Sequence, residues 1–77
     1  MEEEIKDLLR KELEVNIEEQ KLIEHRLDAM KEAINDIPKE DPEYYTLDEQ
    51  ILADQIQLDE HKIRQDVLVQ ELHRHTG

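Results

Sequence analysis

Ile34-Asn35-Asp36-Ile37-Pro38-Lys39-Glu40-Asp41-Pro42-Glu43-Tyr44-Tyr45-Thr46-Leu47 is the stretch that decides the fold. Pro38 ends a helix, because the residue before a proline is pushed out of helical geometry. Asp41-Pro42-Glu43 begins another, with a capping Asp, a proline at the first helical position and a glutamate in the first turn. Thr46 and Glu49 have the spacing of a capping box and mark an alternative boundary or a short kink. The connection between the two helices is short, as antiparallel neighbours require.

Apolar stripes run away from this turn on both sides. Upstream lie Leu9, Leu13, Asn16, Gln20, Ile23, Leu27, Met30, Ile34 and Ile37. Downstream lie Tyr44, Leu47, Ile51, Asp54, Leu58, His61, Gln65, Leu68 and Leu72. The steps alternate between 3 and 4, and a mean of 3.5 residues is the seam of a coiled coil. Folded back at the prolines, Ile37 meets Tyr44, Ile34 meets Leu47, Met30 meets Ile51, and so on to Leu9 with Leu72. The sequence therefore predicts an all-α fold, an antiparallel two-helix hairpin of coiled-coil type. One domain covers residues 1–77, with helix one over 2–36, a turn over 37–41 and helix two over 42–73. Glu2, Glu3 and Glu4 lead the first helix, where the positive end of the dipole favours them. Its interior holds no Gly or Pro and is rich in good helix formers. Helices of this length would reach about 50 Å.

The seam does not use all the apolar residues. Ile5, Leu8, Val15, Leu22, Ala29 and Ala33 stand beside it on the first helix, and Leu52, Ile56, Ile63 and Val67 on the second. A second copy of the hairpin is the simplest cover, giving a homodimeric four-helix bundle with two-fold symmetry. The other cover is a different protein, and Leu8, Val15, Leu22, Leu52, Ile56, Ile63 and Val67 are then the candidate partner face. Tyr45, at the hairpin tip beside Glu40, Asp41 and Glu43, is a candidate for protein contact or for packing on Leu52.

Charge narrows the choice of partner. Asp and Glu number 22 against 10 Lys and Arg, a net charge of −12 spread over both halves of the 77-residue chain. Direct binding to nucleic-acid phosphates needs clustered basic residues, so none is expected. Anionic membrane surfaces are disfavoured for the same reason, and no apolar run approaches the ~20 residues of a membrane span. Met1-Glu2-Glu3-Glu4 is acidic where a signal peptide would be basic. With no cysteine there is neither disulfide nor thiolate metal site, and the expected compartment is the reducing cytoplasm. A basic protein surface is the natural partner, although an acidic surface also serves solubility alone.

In the seam register Asn16 faces Gln65 and Gln20 faces His61, in adjacent layers. Amides and an imidazole both donate and accept, so the four can satisfy one another and fix the register. A pH-sensitive joint is the functional counterpart: protonating a buried His61 would weaken the bundle near about pH 6. Asp54, facing Leu27, is expected to tilt to solvent. No metal site is expected: His73 and His75 point about 200° apart on a helix, and neither His25 nor His61 follows a Glu at i−3. No cofactor is implied. No enzyme is implied either, since the chain has no Ser, no Cys and a single terminal Gly.

In outline the chain resembles the small helical-hairpin phosphatases that act on sporulation response regulators. Their second helix carries Ser-Gln-x-Leu-Asp. The nearest stretch here, Gln57-Leu58-Asp59, lacks the serine and the intervening residue, so no activity is carried over. The functional expectation is a small acidic interaction module that regulates or inhibits a protein partner. Its sharper form is mimicry of nucleic acid by the acidic helix faces. The alternatives are a subunit of a larger helical assembly and a designed bundle without biological function.

Overall fold

The computed structural model describes residues 1–76, with side chains as far as His75. Two helices, α1 (Glu2–Ile34) and α2 (Pro42–Thr76), account for its regular structure, and no strand occurs among the described residues. They lie against each other as an antiparallel hairpin, a rod of 58 × 14 × 14 Å. The radius of gyration, 17.4 Å, exceeds the roughly 11–12 Å of a compact domain this long. So thin a shape buries few side chains completely.

The turn follows from its local bonds. The amides of Asn35, Asp36 and Ile37 each donate to the carbonyl three residues back, at 3.3, 3.1 and 3.2 Å. This tighter winding ends α1 at Ile34, two residues before the predicted end, as the chain approaches Pro38. A further turn donates from the Asp41 amide to the Pro38 carbonyl. Asp41 caps α2, its Oδ1 accepting from the Glu43 amide at 3.0 Å. Thr46 lies inside α2, its hydroxyl donating to the Pro42 carbonyl one turn back, and marks no boundary. Helix α2 also runs three residues past position 73. His73, Arg74 and His75 complement the dipole of its last turn, and His75 Nδ1 lies 3.2 Å from Glu2 Oε2 across the open end.

Every residue of the two seam stripes is buried or half-buried. Ile23, Leu27 and Leu58 form the central cluster, with Met30 and Ile51 packed against it, and Leu68 is buried nearer the open end. Four apolar side chains are thus fully inside. Ten large ones, among them Leu8, Val15, Leu22, Leu52, Ile56 and Ile63, stand at 40% exposure or more. The hairpin closes one seam and leaves much apolar surface in water.

Candidate functional site

The polar layer sits midway along the seam, toward the open end from the apolar cluster. Gln20 is its hub: Nε2 donates to Asn16 Oδ1 at 2.6 Å along α1 and to Gln65 Oε1 at 2.7 Å across to α2. Asn16 and Gln20 are buried, at 6% and 8% exposure. No buried side-chain nitrogen or oxygen among the described residues lacks a partner. Such a satisfied layer tolerates burial and penalises any slip of the helices, since a slip would orphan its amides.

His61 does not join the amides. Its Nε2 lies 2.6 Å from Glu19 Oε2 and its Nδ1 lies 2.8 Å from the Gln57 carbonyl oxygen. A carboxylate and a carbonyl only accept, so both ring nitrogens must donate, which is the imidazolium form. Hydrogen bonding to Glu19, then to Gln57, raises the pKa above 6.5; desolvation opposes this weakly, and the charges of Glu19 and Glu60 assist. Folding therefore favours the protonated ring. The associated stability is complete below about pH 6.5 and is lost as the pH rises through the raised value. This reverses the expected sense of the pH-sensitive joint, because the side chain is a quarter exposed and pairs with a carboxylate.

Asp54 pairs instead of tilting freely to solvent. Its Oδ2 accepts from Arg26 Nε at 2.5 Å, with the carboxylate only 13% exposed. The hydrogen bond and then the charge of Asp54 push the Arg26 guanidinium above its ordinary value. Arg64 donates to Glu12 at 3.1 Å. Glu12, Glu19 and Arg26 are spaced by seven, so these three cross-helix pairs occupy one flank of the hairpin. The same flank holds an open groove of about 500 Å³. Leu8, Val15 and Leu68 supply its apolar wall, and Lys11, Glu12, Glu19, Glu60, His61 and Arg64 its polar surround.

The candidate partner residues divide between two places. Leu8 and Val15 line the groove, and Leu22 continues their line, 69% exposed. Val67, 40% exposed, precedes seam residue Leu68 and belongs to the same flank. Ile56 and Ile63 fall midway between successive seam positions, so they face directly away from α1, at 59% and 65% exposure. Leu52, following seam residue Ile51, is exposed on the opposite flank. Tyr45 stays 62% exposed, its ring edge-on to Tyr44 with centroids 5.8 Å apart.

Sequence reading did not find the cross-helix ion pairs. Part of the signal was present: Glu19 with His61 and Arg26 with Asp54 have numbers whose sum lies one short of the seam pairs', and Glu12, Glu19 and Arg26 stand one heptad apart on α1. Among the described residues no three His, Asp or Glu side chains gather as a metal site, and no helix is long and apolar enough to cross a membrane. No family model, curated protein or solved structure matches the chain.

Proposed function

We propose that this chain is a non-enzymatic interaction module: an acidic helical hairpin that self-associates into a four-helix bundle and regulates or inhibits a cytoplasmic protein with a basic surface. One observation carries this reading. The rod buries four apolar side chains while exposing ten large ones, within a chain of net charge −12. Small single cores are marginal, so apolar surface on this scale argues for a protein cover. The acidic body selects a cationic partner and disfavours phosphate or anionic lipid.

Light scattering on the purified chain tests self-association. The expected mass is twice 9.3 kDa, and a single-chain mass at every concentration removes that part of the proposal. Capture of a stoichiometric partner on the immobilised protein, reversed by salt, tests the rest. Capture that salt leaves intact would point to apolar contact instead. The position of Ile56 and Ile63 favours a second reading, in which the outer face of α2 docks permanently into a larger helical assembly. In that case Ile63→Glu abolishes capture while self-association survives.

A further inference from the structure

We propose that self-association runs through α1 alone as the central contact, two copies crossing antiparallel about a two-fold axis at Val15. The proposal rests on the self-association reading above and specifies its surface. Leu8, Val15, Leu22 and Ala29 recur at strict seven-residue intervals, each one place before a seam position. A strict heptad keeps a constant angle to the first seam, so these residues form a second seam along one flank. Among the described residues Leu8, Val15 and Leu22 stand 63%, 57% and 69% exposed.

A second copy is the occupant because this stripe complements itself. Reversed about Val15, residue i on the stripe of one copy meets residue 30 − i of the other, and the residues beside the stripe pair within one residue of that sum, each with its own side. Leu8 then lies against Leu22 of the second copy, twice, and Val15 against Val15. Lys11 meets Glu18 and Glu4 meets His25 on one side, again twice each. On the other side Glu12 meets Glu19, a like pair, but Arg64 already stands 3.1 Å from Glu12 and His61 2.6 Å from Glu19. Moving the axis half a heptad in either direction loses this match. One shift sets Glu18 against Glu18 and Glu19 against Glu19, and the other sets Lys11 against Lys11 and Glu12 against Glu12. In the favoured register Leu22 of the second copy enters the groove walled by Leu8 and Val15. The paired stretch, residues 1–29, runs about 42 Å along a flank 14 Å wide.

Single cysteines test the register, since the chain has none of its own. Val15→Cys should oxidise to a covalent dimer, the two sulfurs meeting across the axis, while Ile63→Cys remains a single chain on a denaturing gel. A mixture of Leu8→Cys and Leu22→Cys proteins should cross-link far more than either alone. Val15→Glu should weaken the dimer at least about tenfold with helicity unchanged, because it would bury two like charges face to face. A wild type that scatters as one chain overturns self-association and this register together. A wild-type dimer in which Val15→Cys stays reduced, or Ile63→Cys cross-links better, overturns only the register.

Discussion

An imidazole with an acceptor at each nitrogen has one comfortable protonation state, and His61 is held in that way between Glu19 and Gln57. Acidification from about pH 7.5 to about pH 5.5 should therefore raise the melting temperature contributed by this pair. Both partners are partly exposed, so the gain is that of a surface ion pair, about 0.2–1 kcal/mol. Thermal unfolding of wild type and His61→Gln at the two pH values checks this. The wild type should gain relative to the variant on acidification, and equal pH responses would exclude the pair as the cause. Gln20 acts differently, through hydrogen bonds that carry no net charge. Gln20→Leu leaves Asn16 and Gln65 without their shared donor and should cost about 1–3 kcal/mol in chemical denaturation. Replacing Asn16, Gln20 and Gln65 together by aliphatics should instead hold or raise stability while loosening register. Disulfide trapping of misaligned helices would show the difference.

At the scale of the helices, the seam was legible because its 3.5-residue period survives the exchange of Leu for Asn, Gln, His or Asp. Pro38 and the Asp41-Pro42 pair likewise marked the turn, since their effect on the backbone is local. The last residues of α1 were less legible, because three consecutive bonds to i−3 carbonyls belong to neither helix nor loop in a propensity reading. The two flanks were harder still. Leu22 and Ile63 look alike in sequence, yet one precedes a seam residue and the other stands midway between two. Only the phase relative to the seam separates a groove wall from an outer face. The pairing of His61 with Glu19 rather than Gln20 turns on side-chain reach, which spacing does not encode. The Asp41 cap, by contrast, yields a simple test. Asp41→Ala should lower stability by about 0.5–2 kcal/mol, with the loss of protection in hydrogen exchange concentrated in the first turn of α2.

For the whole molecule, net charge and apolar surface act in opposite directions. Two copies of net charge −12 repel each other, so self-association should strengthen as salt rises toward about 0.15 M, where screening reaches about 8 Å. Binding of a basic partner should weaken over the same range. Sedimentation of the free protein and partner binding by calorimetry, read across one salt series, should therefore show opposite slopes. A flat response for either contact would mean that charge does not govern it.

The bond between Glu2 and His75 places the start of α1 and the last turn of α2 at one end of the rod, with the tip at Tyr45 far from both. A force applied across the termini thus opens the hairpin like a zipper, shearing no layer against another. The contact between Glu2 and His75 parts first, then Leu9 from Leu72 and Leu13 from Leu68, before tension reaches the amides around Gln20. There the amides held across the seam must part before the Ile23, Leu27 and Leu58 cluster feels any load. The layers of the seam are thus loaded one at a time, the polar layer standing between the open end and the apolar half of the rod.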